Sequence, residues 1–424
     1  MEISRISSSS IPQTGGPLTE RRFVLPLILI TSLFFLWAVG VNLNDILIPH
    51  MKGVFHLTDF ESSFVQVAFF GGYCLAALPA GRLIERIGYQ RGMVCGLLIC
   101  AAGAFIFIPA ASIHLYAVFL LGLFIMACGQ SFLEVSANPY VTFLGPPQTA
   151  EQRLNLAQSF NAVGAVMTPI FGSALILSRA HTAAAGSEPD VVRLPYMVIV
   201  GIFLAMAFLI FTAKLPAIQE EEAEEESSHF SGILAFPHLL KGVAAQFFYV
   251  GAQVGVASFV IRFSQHAHPG TLDTQAANYL KLHLLGFMIG RFAGSALMKK
   301  IQPAHMLAAF AMGSVVSVLL VIFTSGTSAL AGIVLLGFFH SIMFPTIFAL
   351  SIRHLGPYTK RGSSLLVMAI LGGAIMPAVM GRISDLSNIQ RAFFVPLVCY
   401  GVVLYFAVRG YKVRTPASQG LIEV

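Results

Sequence analysis

The chain has 424 residues, 56% of them hydrophobic and 10% charged, with a net charge of +6. A water-soluble domain carries roughly 25% charged residues, so a soluble enzyme of this length is excluded. The 25 Lys and Arg form no cluster beyond pairs, which leaves nucleic acid no phosphate-binding surface.

A transmembrane helix needs about 20 mostly apolar residues. Twelve such runs follow one another, at 23–50, 61–87, 92–112, 114–143, 153–178, 195–214, 237–264, 273–298, 304–325, 327–353, 361–385 and 391–411. The first is too long for a cleavable signal, and Asn42-Leu43-Asn44-Asp45 is unlike a small-residue cleavage site. The expected fold is an all-α polytopic membrane protein with 12 transmembrane helices in two six-helix bundles. Its parts are a tail (1–22), a first bundle (23–214), an acidic linker (215–236), a second bundle (237–411) and a tail (412–424). The linker carries six glutamates from Glu220 to Glu226, and such a like-charge block is a solvated connector. Of the Lys and Arg, 17 fall on the side of the termini and 6 on the other. That excess predicts that both termini lie in the cytoplasm. The five cysteines (Cys74, Cys95, Cys100, Cys128 and Cys399) sit in apolar runs, where a thiol packs as a small hydrophobe. They offer neither a disulfide framework nor metal-ligand spacing.

The two halves repeat. Span four ends in Asn138-Pro139 and then Leu144-Gly145-Pro146, and span ten in Phe344-Pro345 and then Leu355-Gly356-Pro357. The spans that follow carry Gly164-Ala165-Val166-Met167-Thr168-Pro169 and Gly372-Gly373-Ala374-Ile375-Met376-Pro377. Parallel six-span repeats imply two bundles about an axis along the membrane normal, with a substrate site between them at mid-bilayer.

Two acids, Asp45 and Glu134, lie well inside apolar spans. An intramembrane acid costs about 2.5–3.5 kcal/mol to insert and marks function by default. Loss of hydration favours the neutral carboxyl, so either acid can take and release a proton as its access alternates. A structural carboxyl, permanently protonated or paired to a cation, is the alternative. Polar residues share their faces: Asn42 with Asp45, Asn138 with Glu134, Gln158 with Asn161, and Gln246 and Tyr249 with Gln253. Amides and carboxylates suit the fixed donor and acceptor pattern of a sugar, and Trp37 and Tyr249 can cover its C–H faces. Any single amide reads equally well as a bridge between helices. Gln66 and Asn278 are further candidates at span starts. Arg291 is expected to snorkel to the cytoplasmic end of span eight or to serve a second latch. His283 and His340 each sit alone on an apolar span and are expected to be structural, with a proton relay as the alternative.

The loop Gly81-Arg82-Leu83-Ile84-Glu85-Arg86-Ile87-Gly88-Tyr89-Gln90-Arg91 resembles the signature of the major facilitator superfamily. It departs from that signature at Glu85, usually Asp, and at Gln90, usually basic. The resemblance implies the major facilitator fold and a cytoplasmic gate of ion pairs at Gly81, Arg82, Glu85, Arg86, Gly88 and Arg91. Further segments, among them Asn42 through Pro49, Glu134 through Pro146, Arg153 through Asn161 and Gly290-Arg291-Phe292, resemble the fucose–galactose–glucose:proton symporters. The similarity runs from about residue 22 to 410. It implies proton coupling through Asp45 and Glu134 and a sugar site that includes Asn42, Gln66, Asn138, Gln158, Asn161, Tyr249, Gln253 and Asn278. Glucose and galactose members often carry Gln at the place of Glu134, so the glutamate favours the fucose-like branch.

The expected function is symport of a monosaccharide with protons in a bacterial inner membrane. The partners are a sugar and the lipid bilayer, with no nucleic acid, no metal and no cofactor beyond the coupling proton, and the protein is expected to be a monomer. The absence of a GxxxxGK[ST] loop argues against ATP-driven transport, and no catalytic constellation is present. A passive or sodium-coupled carrier, a membrane sugar sensor and a drug exporter are the alternatives.

Overall fold

The structure, a computed structural model, describes residues 16–54, 59–113, 115–180, 188–218 and 230–413. Side chains at 40–41, 43–54, 59–63, 111–113, 169–180, 188–194, 230–231 and 273–274 are not described. Residues 1–15 and 414–424 of the predicted tails, the linker glutamates and the side chain of Asp45 therefore lie outside the described residues.

Among the described residues there are helices and no strand. The first half is α1 (Val24–Val54), α2 (Asp59–Ile113), α3 (Tyr116–Phe143), α4 (Ala150–Ala180) and α5 (Glu188–Thr212). The second is α6 (Pro237–Ala267), α7 (Asp273–Leu297), α8 (Pro303–Phe323), α9 (Gly326–Phe339), α10 (Met343–Ser351), α11 (Thr359–Met368), α12 (Gly372–Leu386) and α13 (Phe394–Tyr405). A bilayer dictates this outcome, because a helix satisfies its own backbone polar groups where water is absent. Nine stretches are long and apolar enough to cross a membrane, one of them, Phe64–Ala110, spanning both arms of α2. With α4 and α7 these make the twelve passages.

α2 carries two passages because Gly88, at φ +81°, turns the chain back within it. A side chain there would be strained, and glycine is not. Passage ten is broken into α9 and α10 at His340–Ile342, and passage eleven into α11 and α12 by the 3-10 turn Ala369–Leu371. The first break has a local cause. Pro345 has no N–H for the carbonyl four residues back, so the Ser341 oxygen needs another donor.

In the first half α2 packs on α3 and α5, and α1 on α4; in the second, α6 packs on α12 and α13, and α9 on α7 and α8. Glutamines fasten helix ends within each half. Gln90 Nε2 donates to the carbonyls of Ile210 and Ala213, both at 2.8 Å, at the end of α5. Gln390 Nε2 does the same at the end of α8, to Val321 (2.9 Å) and Thr324 (2.7 Å). Those carbonyls are ones a helix terminus leaves without internal partners. Gln90 thus does different work from the basic residue usual at its place.

Arg153, for which the sequence suggested no particular role, is fully buried. Its guanidinium donates to the carbonyls of Val141 (3.2 Å), Pro146 (2.9 Å) and Leu18 (3.0 Å) and to the Thr149 hydroxyl (2.7 Å). It caps the carbonyl end of α3, where the helix dipole favours a cation, and ties residues 17–19 to the bundle. The face that carries these residues, Gly88 and the end of α13 is called the terminal face below.

Candidate functional site

Glu134 lies about 13 Å inside the end of α3, and Gln158 about 12 Å inside the start of α4, at 1.5 Å per residue. Both are near the middle of a hydrocarbon core about 30 Å thick. Asn138, one turn from Glu134, donates from Nδ2 to Glu134 Oε2. Its Oδ1 accepts from Gln158 Nε2 at 3.0 Å, and Gln158 Oε1 accepts from Arg291 Nη1 at 3.1 Å. The polarity of this row is fixed by chemistry, since arginine only donates. Gln158 must turn its oxygen to Arg291 and its amide nitrogen to Asn138, and Asn138 must then donate to the carboxyl. Glu134, Asn138 and Gln158 are all buried.

Arg291 is not at an interface, as its sequence position suggested. It is 4% exposed, on α7 of the second half, and reaches across to the first. Nη1 also donates to the main-chain carbonyl of Gln158, Nε donates to the Ser341 carbonyl at 3.1 Å, and the guanidinium lies 4.4 Å over the Phe287 ring. The Ser341 carbonyl is the one that Pro345 leaves without its helical partner. Lengthwise snorkelling was the wrong expectation because α4 supplies acceptors at mid-depth.

The break in passage ten is held by further polar groups. Tyr249 Oη donates to the His340 carbonyl at 2.9 Å, and His340 Nδ1 is 3.1 Å from Tyr400 Oη. His283 and His340, each alone on its own span, meet edge to face with ring centroids 4.9 Å apart. His283 Nδ1 lies 2.8 Å from the Ile333 carbonyl, so it carries the hydrogen, because a carbonyl can only accept.

The remaining expected residues divide. Asn42 Nδ2 donates to the Ala38 carbonyl one turn back within α1 (2.8 Å), and Asn161 Nδ2 crosses from α4 to the Phe34 carbonyl of α1 (3.2 Å). Gln253 is half-buried, one turn beyond Tyr249. Gln66 and Asn278 are exposed and apart from the row; Asn278 faces Lys281 at 3.5 Å. Two further residues join the region, Gln130, which was not expected, and Gln246, expected only as a polar neighbour of Tyr249. Gln130, one turn before Glu134, accepts from Tyr73 Oη at 2.8 Å, a placement that the i,i+4 spacing already signalled. Gln246 is fully buried, and neither of its amide atoms has a hydrogen-bond partner.

The halves also meet at the terminal face. Arg361 Nε pairs with Glu85 at 2.7 Å, and Arg353 Nε pairs with the fully buried Glu151 at 2.5 Å. The Lys360 ammonium lies 5.3 Å over the Tyr89 ring. Deeper in, Asn155 Nδ2 donates to Thr346 Oγ1 (3.0 Å) and Ser295 Oγ to the Gln152 carbonyl (3.2 Å). Gly81 abuts Ser364, and a side chain there would displace it. Glu85 and Gly81 of the loop motif thus touch the other half, while Arg82, Arg86 and Arg91 expose their side chains. A cavity of about 630 Å³, lined from both halves by Thr142, Gln148, Arg353 and His354, opens at this face and does not reach Glu134.

The arrangement joins a carboxyl that can hold a proton, amides that can exchange partners with hydroxyl groups, and a cation that spans the two halves. The model of the Major Facilitator Superfamily matches residues 28–375. The chain is similar to a glucose/galactose transporter of Brucella abortus, 41% identical over 411 residues, covering 96% of this chain and 100% of the relative. It is equally similar to the L-fucose-proton symporter of Escherichia coli, 41% identical over 409 residues, covering 92% and 93%. A crystal structure of the Escherichia coli fucose:proton symporter matches with a TM-score of 0.86 at 40% identity, over 93% of this chain and 100% of that one. Another, in the outward conformation, matches with a TM-score of 0.86 at 41% identity, over 93% and 100%.

Proposed function

Because this chain belongs to the Major Facilitator Superfamily, we propose that it is a secondary active transporter of a monosaccharide, driven by protons through alternating access. The sugar is L-fucose or a related hexose such as galactose or glucose, and the protein works as a monomer. The observation that carries this reading is the buried row from Glu134 to Arg291, which joins a proton-binding group to the contact between the halves. A bacterial inner membrane with the terminal face toward the cytoplasm fits the distribution of Lys and Arg.

In this reading the structure is closed toward the cytoplasm. Asn138 and Gln158, with Asn42, Asn161, Tyr249 and Gln253, supply hydrogen bonds to the sugar hydroxyls, and Trp37 covers an apolar face. Protonation of Glu134 or Asp45 removes a charge that opposes burial and lets the loaded carrier reorient. Two relatives of different named substrates are equally identical to this chain, so the choice among hexoses rests on Glu134, which favours L-fucose.

The test is uptake of labelled L-fucose, galactose, glucose, mannose and N-acetylglucosamine into proteoliposomes, with and without an inward proton gradient. Accumulation of one sugar on the gradient, reduced to exchange alone by Glu134→Gln or Asp45→Asn, supports the reading. Equilibration without accumulation, indifferent to pH and to both substitutions, would make the protein a passive carrier. Dependence on sodium would name a different coupling ion.

A further inference from the structure

We propose that Arg291 is the positioning residue through which the charge of Glu134 holds the cytoplasmic side shut. The proposal rests on the reading of Glu134 as a proton-bearing group. Arg291 would act through Gln158 and Asn138 and need not touch the sugar.

The row has a negative pole in one half and a positive one in the other. Between them two amides point the same way, each bond strengthened by the charge at its end. A proton on Glu134 abolishes the negative pole and lets the carboxyl donate. Asn138 can then turn its oxygen toward Glu134 and its nitrogen toward Gln158. Gln158 must follow, and its own nitrogen then faces Arg291, a donor against a donor. The side-chain bond between the halves is lost and only the main-chain carbonyl of Gln158 still accepts from Arg291 across them, while Arg291 keeps its hold on the Ser341 carbonyl within the second half.

The groups around Arg291 leave Glu134 as the carboxylate it answers to. Among the described residues, Glu20 pairs with Arg22 (2.8 Å), Glu85 with Arg361 and Glu151 with Arg353. Asp385 is exposed near the end of α12. Asp45 on α1 lies outside the described side chains. The second half presents Tyr249, His283, His340 and Tyr400 to this region, all of them uncharged or at most cationic near neutral pH, so none replaces the missing negative charge. The internal repeat sharpens the contrast. Gly290-Arg291 stands 209 positions after Gly81-Arg82, yet Arg82 is exposed and Arg291 is buried across the interface. An isolated buried cation is costly, and here it is placed where its partner can be switched.

The experiment measures closure directly. Ser364, 1% exposed and wedged against Gly81, is replaced by cysteine in a chain whose five native cysteines are serines. Its alkylation from the cytoplasmic side is normalised to that of Lys299→Cys, an exposed position. The reference chain should label slowly at alkaline pH and faster at acid pH. Arg291→Gln should raise the alkaline rate about tenfold or more, as expected for losing a hydrogen bond to a charged group, and should flatten the pH response. Glu134→Gln should do the same, and the double variant should be no faster than either. Should Arg291→Gln fail to insert, Gln158→Leu cuts the side-chain link that carries the switch while leaving the main-chain bond, and is read by the loss of the pH response. A monodisperse gel-filtration peak and an unchanged melting temperature in detergent report that each variant is folded. Slow alkaline labelling with a retained pH response in Arg291→Gln or Gln158→Leu would overturn the proposal. If the unsubstituted protein does not accumulate sugar on a proton gradient yet labelling still follows Arg291 and Glu134, the symport reading falls and the lock stands.

Discussion

The two ion pairs at the terminal face should differ greatly in their hold on the closed state. Glu151 is fully buried, Arg353 is 37% exposed, and they meet at 2.5 Å through Oε1; Glu151 Oε2 has no hydrogen-bond partner among the described residues. Arg353→Met strands that charge, which costs about 3–5 kcal/mol for a fully buried pair. The lower end applies because the arginine is partly hydrated. The cost exists only while the halves touch, since water solvates Glu151 once they part. The closed-to-open ratio should therefore fall about 10²-fold. Glu85 and Arg361, 24% and 20% exposed at 2.7 Å, make a pair worth about 0.2–1 kcal/mol, so Arg361→Met should change the ratio at most about fivefold. Spin labels at the exposed positions Arg86 and Lys299, with distances read by double electron–electron resonance, give both populations. Adding Glu151→Gln to Arg353→Met should restore most of the closed fraction, because the stranded charge is gone. A larger shift from Arg361→Met, or no recovery in the double variant, would refute the argument.

Arg153→Met removes the donors that serve several main-chain carbonyls at the end of α3, and should lower the melting temperature in detergent by about 5 °C or more. Gln246→Leu should leave the melting temperature unchanged or raise it, because an unsatisfied buried amide costs about 1–3 kcal/mol; a clear fall would mean that the amide is bonded. Gly337→Ala should depress the folded yield, since a Cβ there runs into the main-chain carbonyl of His283. Gly381→Ala, whose Cβ would meet nothing within 4 Å, should be neutral or stabilising by about 0.5–1 kcal/mol, and a loss equal to that of Gly337→Ala would sink the packing explanation.

Much of the fold was legible because a bilayer leaves a chain few choices. Apolar run lengths located the passages, and the Gly88 turn lay in a recognisable motif. Glu134, Asn138 and Gln158 were legible from their depth and helical spacing. Arg291 was not, because a cation six residues from a helix end can snorkel or bury with equal ease. Its acceptors come from Gln158, 133 residues away in the other half. The meeting of His283 and His340 was not legible for a related reason: each is isolated on its own span, and only the packing of α7 on α9 brings the rings together. Pro345 was visible as a repeat marker, but a proline in a membrane helix is often tolerated. The break it accompanies follows only once Arg291 and Tyr249 are there to take the freed carbonyls.

The contacts between the halves form a graded series, and that has a kinetic consequence. The Glu85–Arg361 pair keeps both side chains partly in water; Glu151–Arg353 has one end fully buried, Asn155–Thr346 and Gln152–Ser295 are buried at both ends, and Gln158–Arg291 lies farthest along α4. Water entering from the terminal face can take over each partner in turn, nearly matching the bond it replaces. The glutamine clasps meanwhile leave the interior of each half intact. Opening thus resembles a zipper more than a latch, and its barrier is set by the costliest single exchange. The rate of the transport stroke should depend most steeply on the innermost bond, where water arrives last.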